Sequence, residues 1–167
     1  EQIKATEKKN SKKQDNPSNT KNLTLKPGTK ITDKSSAAIY KVTGKNTVEY
    51  VKSSSKKTTI VIPESITAKK IKYHVSSIAA NAFKGNKQLK CVVISSSIKK
   101  IGTQAFFKCK NLKKITIKTP YLSKKTVGAK AFKGIHAKAK IKVPKKQKKA
   151  YQKLLKAKGA GKKVAIK

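Results

Sequence analysis

The side chains that could perform acid–base, nucleophilic or metal chemistry are few and scattered in this sequence. There are two cysteines, Cys91 and Cys109, and two histidines, His74 and His136. Acid–base catalysis usually relies on carboxylates or histidine, yet no Asp or Glu follows Glu64. No carboxylate and no local signature supports a cysteine nucleophile with a histidine base. We therefore predict that the protein is not an enzyme and has no catalytic residue.

The sequence also argues against metal and phosphate sites. Structural zinc takes four Cys or His ligands at short spacings, whereas the four candidates here are dispersed. Calcium needs a cluster of oxygen ligands, and the chain has no cluster of acids. The segment GAGKK lacks the upstream glycine and the following Ser or Thr of a phosphate-binding loop. We predict no metal and no cofactor.

The charge balance of the chain is extreme. Its 167 residues include 44 basic residues, all of them lysine, against six carboxylates, for a formal charge of +38. Such a charge attracts anionic partners. However, there is no arginine for paired hydrogen bonds to DNA bases, and aromatic residues make up only 5% of the chain, so few platforms exist for base stacking. We expect nonspecific polyanion attraction at most, and the lysines could equally be a solvated coat.

Three segments of equal length repeat one pattern, and any binding site has to be built on them. Phe83, Phe106 and Phe132 each follow an alanine and lie 23 and 26 residues apart. Two strand-like apolar residues follow each Phe, at nine and eleven residues. The segment IVIP, 60–63, supplies a fourth strand of the same type. A period of 20–29 residues is typical of leucine-rich repeats.

A single copy of this pattern has an apolar edge that it cannot bury alone. Stacked copies can pair their strands into a parallel ladder and fill the space behind it with Phe and Leu side chains. The repeat thus predicts an α/β repeat solenoid in which Phe83, Phe106 and Phe132 form one buried stripe. Behind each ladder strand we expect a turn or a short helical piece.

The segments outside the repeats predict different structures. Residues 1–26 are polar and read as a flexible tail, and 27–57 contain alternating apolar residues around TGKN, which favours a β-hairpin cap. The repeats occupy 58–144. In 145–167 the apolar residues Tyr151, Leu154 and Leu155 fall on one helical face, so we expect a helical cap followed by a short strand in VAIK.

The best-formed copy resembles the BspA-type, or Treponema-type, leucine-rich repeat. The matching positions of IGTQAFFKCKNLKKITI are Ile101, Ala105, Phe106, Cys109, Leu112, Ile115 and Ile117. The resemblance implies a leucine-rich-repeat fold with a short parallel ladder, and a secreted or cell-surface protein of a Gram-positive gut bacterium, from which the signal peptide has been removed. It also implies adhesion, or the binding of a protein or glycan, rather than catalysis.

The cysteines are expected to be structural. Cys109 takes the cysteine position of the repeat between a buried Phe and a buried Leu, where a small thiol fits the core. Cys91 precedes Val92 and should face outward from its strand. A disulfide between Cys91 and Cys109 is left open.

Alternation along the strands predicts a candidate binding face. If Ile60 and Ile62 point inward, their neighbours and the equivalent residues of later strands point outward, and Ser95 belongs to this outward set. The predicted surface is aliphatic near the first strand and cationic near the last. Its residues are Val61, Val93, Lys114, Thr116, Lys118, Lys140 and Lys142.

Three functions remain open at this point. The first is an adhesion or interaction module that binds an extracellular protein or glycan through this face. The second is a nonspecific binder of nucleic acid, anionic glycan or wall polymer, and the third is a spacer in a larger surface protein. We expect a monomer, and no apolar run in the sequence is long enough to span a membrane.

Overall fold

The computed structural model describes residues 24–167. A turn of 3-10 helix at Lys145–Gln147 leads into helix α1, Lys148–Ala157. The strands in this part of the chain are β1 Lys30–Asp33, β2 Ala38–Val42, β3 Thr47–Ser53, β4 Thr59–Ile62, β5 Ser65–Ala68, β6 Ile71–Ile78, β7 Cys91–Ile94, β8 Lys100–Ile101, β9 Lys114–Ile117, β10 Lys140–Lys142 and β11 Ala165–Ile166.

One strand from each coil joins a five-stranded sheet in the order β11-β10-β9-β7-β4. Every neighbouring pair in it is parallel. The strands are short and rich in Ile and Val, which suit a pleated surface with one buried face. The pairing is in register, so that one row of inward residues crosses the sheet at Ile60, Val92, Ile115 and Ile141.

A second sheet contains the predicted hairpin around TGKN, as β2 and β3, together with strands that the sequence did not predict. Its order is β1-β2-β3-β6-β5, with β8 also paired to β6. Strands β1 to β3 form an antiparallel meander, and β3 then pairs with β6 in parallel. The β5–β6 hairpin turns at Lys69 and Lys70, which both have positive φ, 49° and 64°. Such turns usually carry Asn-Gly or Asp-Gly, and this Lys-Lys turn gives no comparable signal.

The phenylalanines of the repeats form a continuous stack through the core. The Phe83 and Phe106 rings lie 5.1 Å apart, the Phe106 and Phe132 rings lie 5.5 Å apart, and Tyr50 extends the stack at 5.4 Å from Phe83. All three phenylalanines are buried, which confirms the predicted stripe. The turns that carry them are bonded to one another, since Phe83 N–H donates to Ala105 C=O at 2.7 Å.

Both ends of the described chain pack onto this core. Helix α1 buries Tyr151, Leu154 and Leu155, and the Tyr151 hydroxyl donates to the Thr119 carbonyl at 2.7 Å. At the other end Leu25 already packs against the core, and its N–H donates to the Tyr73 hydroxyl at 2.9 Å. Residues 1–23 of the predicted tail lie outside the described residues.

Replacement of Phe106 by alanine tests the aromatic stack. Removing a fully buried Phe between two rings should lower the free energy of unfolding by about 3–5 kcal/mol, measured by urea denaturation. Phe107→Ala is the matched control, because Phe107 is only half-buried. Equal losses in the two variants would contradict the stack as the centre of the core.

Gly102 tests the close approach of successive coils. A Cβ at Gly102 would lie 2.6 Å from the Ala79 carbonyl carbon and even closer to the Ala80 backbone nitrogen. Backbone atoms cannot move aside cheaply, so Gly102→Ala should destabilise the protein by about 1–3 kcal/mol. Gly161→Ala, where the nearest atom is 4.0 Å away on Val164, should leave the melting temperature almost unchanged. Similar melting temperatures for the two variants would refute this packing.

Candidate binding face

Outward side chains of the five-stranded sheet form two rows that cross its strands. The strand register places Val61, Val93, Thr116 and Lys142 in one row. The register likewise places Thr59, Cys91, Lys114 and Lys140 in the second row. The inward residues between them are buried, as alternation along a strand requires.

The predicted residues therefore share one surface, which we call the sheet face: Val61, Val93, Lys114, Thr116, Lys118, Lys140 and Lys142. Lys118 follows β9 and joins the surface by lining a hollow of about 280 Å³ with Thr116 and Lys142. The sheet face is aliphatic at one end, where Val61 is 60% exposed. At the β10 end it consists of exposed lysines.

Ser95 departs from the predicted outward set. Although its position continues the alternation beyond Ile94, its side chain is 5% exposed. Its hydroxyl donates to the Pro63 carbonyl at 3.0 Å and lies 3.1 Å from the Ser97 hydroxyl. The chain leaves the strand at Ser95, so the two-residue period ends there and the hydroxyl turns to satisfy a carbonyl of the preceding coil.

The lysines of the sheet face have no acidic partner in the part of the chain that the structure describes. The one ion pair found within residues 24–167 joins Lys41 and Glu49 at 3.3 Å, in the six-stranded sheet. Asp33 accepts hydrogen bonds from Ser36 and Ser35, which lower the pKa of its carboxyl group. Every described Asp and Glu thus precedes the cationic end of the sheet face in the chain, and none forms an ion pair with it.

A groove of about 370 Å³ runs between these lysines. Its lining residues include Lys114, Thr116, Lys140, Lys142, Lys145 and Lys167. Alkyl stems of lysine form apolar walls and keep the ammonium groups at the rim. Sequence reasoning missed Lys145 and Lys167. The signal available for Lys167 was VAIK, whose Ile166 pairs with Ile141 and so brings the next lysine beside β10.

The cysteines and histidines are separated by the fold. Both cysteines are free. Cys109 is buried, its thiol donates to the Phe83 carbonyl at 2.8 Å, and burial raises the pKa of this thiol to about 11. Cys91 lies half-buried on the sheet face. His74 lies in β6 of the other sheet, and the His136 ring accepts a hydrogen bond from Lys138 N–H.

The described residues, 24–167, contain neither a cluster suited to a metal ion nor a helix suited to a membrane. No group of three or more His, Cys, Asp or Glu side chains there is arranged to hold a metal ion. None of the helices in this range has the length and apolarity to cross a membrane.

The repeats of this chain match a known protein family. Residues 50–164 match the model of the BspA-type leucine-rich-repeat region, with six copies. This chain belongs to the BspA-type leucine-rich-repeat family. The resemblance seen in the sequence is thereby confirmed, and the six copies exceed the three full copies found by inspection. None of the curated proteins compared matches the chain significantly.

Solved structures of bacterial leucine-rich-repeat proteins share the fold. A leucine-rich cell-surface protein from Faecalibacterium prausnitzii A2-165 superposes with a TM-score of 0.55 at 23% identity, over 70% of this chain and 37% of that one. A leucine-rich-repeat protein from Bacteroides capillosus ATCC 29799 gives 0.55 at 16% identity, over 83% and 98% of the two chains. The match thus spans little more than a third of the Faecalibacterium protein, and both likenesses concern the fold alone.

Thiol labelling tests where the BspA-type coils place the two cysteines. With iodoacetamide at pH 8 the native protein should react rapidly at Cys91 only, because Cys109 is buried and its pKa lies well above that pH. Both thiols should react in guanidinium chloride. Peptide mass spectrometry identifies the labelled site, and rapid native labelling of Cys109 would contradict this core.

Proposed function

We propose that this BspA-type chain is a non-enzymatic, secreted or cell-surface module that binds an anionic extracellular protein or glycan through its sheet face. The observation that carries the proposal is the placement of Lys114 directly beside Lys140 in the parallel ladder, with neither lysine in an ion pair among the described residues. Family membership supports a binding role, and the sheet face supplies the surface for it.

Like charges on directly paired strand positions are destabilising. Neighbouring strands lie about 5 Å apart, and two unit charges at that distance repel by roughly 1 kcal/mol in water. Flexible stems let the ammonium groups move apart, but Lys142, Lys145 and Lys167 surround the same groove. An anionic ligand offsets this repulsion. Its binding is therefore favoured at lysines that do not themselves stabilise the fold.

The shape of the groove favours an extended ligand. Its apolar walls can contact a sugar ring or an aliphatic chain, while the rim of ammonium groups contacts sulfate, phosphate or carboxylate. The aliphatic end at Val61 and Val93 offers further contact area along the same rows. A ligand that follows the rows would meet a gradient from apolar to cationic contacts, which fixes its direction.

Location and assembly form part of the same proposal. A secreted or surface position is supported by the description of the Faecalibacterium structure as a cell-surface protein and by the family. Adhesion follows if the anionic ligand is fixed to a host or neighbouring cell. A charge of +38 opposes self-association, and we propose a monomer. The β1–β3 meander and α1 with β11 act as caps of the solenoid.

A second function has one observation in its favour. The lysines are spread over the whole chain rather than confined to the sheet face. If bulk charge alone matters, binding is nonspecific, and the logarithm of the binding affinity falls linearly with the logarithm of the salt concentration. The third function, a passive spacer, predicts no ligand at all at physiological salt.

Replacing four lysines of the sheet face by serine distinguishes these functions. The ligand used is a heparin-derived hexasaccharide at 0.15 M NaCl, with calorimetry as the measurement. Four charged contacts of roughly 0.5 kcal/mol each sum to about 2 kcal/mol, so affinity should fall about 30-fold. The positions changed are Lys114, Lys118, Lys140 and Lys142.

The matched control removes the same charge elsewhere on the described surface. Its four lysines are exposed and lie outside the five-stranded sheet: Lys45, Lys72, Lys87 and Lys124. We expect this control to bind nearly as well as the unchanged protein. Equal losses in the two variants would assign binding to bulk charge, and no binding by the unchanged protein would favour the spacer.

A further inference from the structure

The first strand of the five-stranded sheet has an open edge. Within residues 24–167, β4 pairs only with β7. In the other sheet, β3 is covered on its outer side by β2. The N-terminal meander therefore covers one half of this end of the solenoid and leaves the β4 half uncovered.

The backbone groups on the open side of β4 follow from its pairing. Cys91 N–H donates to Thr58 C=O at 3.0 Å, and Ile60 lies opposite Val92 in a parallel register. In a parallel pair, alternate residues direct both backbone groups to the partner strand. Ile60 therefore faces β7, while Thr59 and Val61 direct their N–H and C=O groups outward. Such unpaired groups form a template for another strand.

A cavity of about 370 Å³ lies along this open edge. Its walls include Tyr40, Tyr50 and Ile60, and Asp33 and Lys57 also line it. On the outer side of the strand, Val61 is 60% exposed, one of only two large hydrophobic residues so exposed among the described residues. The edge thus combines unpaired backbone groups, an exposed apolar side chain and a cavity that can accept a side chain of a binding partner.

The charges around the edge identify the occupant. A second copy of the chain is opposed by mutual repulsion of two +38 molecules. The nearby carboxylates keep their charge but already accept hydrogen bonds within the chain, Asp33 from Ser35 and Ser36 and Glu64 from the Ser96 hydroxyl. Lys56 and Lys57, which lead into β4, have no acidic partner among the described residues.

We propose that the open edge of β4 is a docking strand for an extended, acidic segment of a partner protein. The residue of that segment opposite Ile60 points into the cavity beside Tyr40 and Tyr50, because paired residues share a face of the sheet. An apolar side chain suits this position. Acidic residues at the end of the segment near Lys57 pair with its ammonium group.

The short length of β4 disfavours nonspecific pairing of this edge with other strands. The strand has four residues and is followed by Pro63, which cannot donate a hydrogen bond to a sheet. Short edges with nearby lysine and proline resist edge-to-edge aggregation. An acidic partner is the case that gains from the lysines rather than being repelled by them.

A synthetic peptide tests the proposal directly. The probe is acetyl-Asp-Glu-Thr-Val-Thr-Val-Thr-Glu-Asp-amide, added at 0.15 M NaCl to the uniformly ¹⁵N-labelled full chain. Hydrogen exchange of the outward Thr59 and Val61 amides should slow about tenfold with the peptide at ten times its dissociation constant. The Ile60 and Ile62 amides, which already bond β7, should change little. The control peptide has the same side chains and charge but carries N-methyl groups on its five central residues.

We expect the control peptide to bind much more weakly, since its five central residues cannot donate backbone hydrogen bonds. Equal binding of the two peptides would overturn the proposal in favour of bulk charge. Shifts of the Lys114 and Lys140 amide signals, without slower exchange at Thr59 and Val61, would place the peptide on the sheet face instead and would also overturn it. So would the absence of any binding by the first peptide.

Discussion

Stacking of each coil on the next is the constraint on which the rest of this protein depends. The aromatic rings of Tyr50, Phe83, Phe106 and Phe132 lie 5.1–5.5 Å apart, close to the spacing of neighbouring strands in a sheet. The rings and the strands therefore advance in step. Because coil follows coil at one spacing, outward positions of successive strands also come into line. The rows of outward side chains on the sheet face therefore follow from the regular stacking of the aromatic side chains in the core.

The stacked core allows the surface charge to be unbalanced. Aromatic contacts, in-register strands and buried Ile and Val side chains hold the coils together without ion pairs, and the described residues contain one such pair. Lysine can thus occupy positions where a charge-balanced protein would place acids. The described Asp and Glu residues all lie in the N-terminal part of the chain, and the lysines of β9 and β10 have no ion-pair partner among the described residues. We infer a binding function at the sheet face because its lysines repel one another and have no ion-pair partner among the described residues.

The sequence predicted the repeats, the β2–β3 hairpin and the C-terminal helix and strand, and it missed β1 and the β5–β6 hairpin. The Ala-Phe pairs and the strand spacing identified the stripe, the in–out alternation and the family. Tyr50 joins the aromatic stack without an Ala-Phe pair before it, so the first coil was not recognised as a copy. The β5–β6 hairpin was missed because two lysines make its turn.

The sheet face could be listed from alternation alone, since register along a strand has a period of two. What the sequence could not supply was the neighbour across strands. The proximity of Lys145 and Lys167 to β10 depends on how the C-terminal segment closes the ladder. The open edge of β4 depends in turn on which half of the solenoid the N-terminal meander covers. Both are tertiary facts that a local pattern does not encode.

In the proposed binding mode an anion binds where the lysines are aligned, not wherever lysine occurs. Lysine footprinting measures this most directly, by methylating the protein with and without a heparin-derived hexasaccharide at 0.15 M NaCl and counting modified sites by mass spectrometry. We expect strong protection of Lys114, Lys140 and Lys142 and little change at the other lysines. Equal, slight protection of lysines over the whole chain would contradict it.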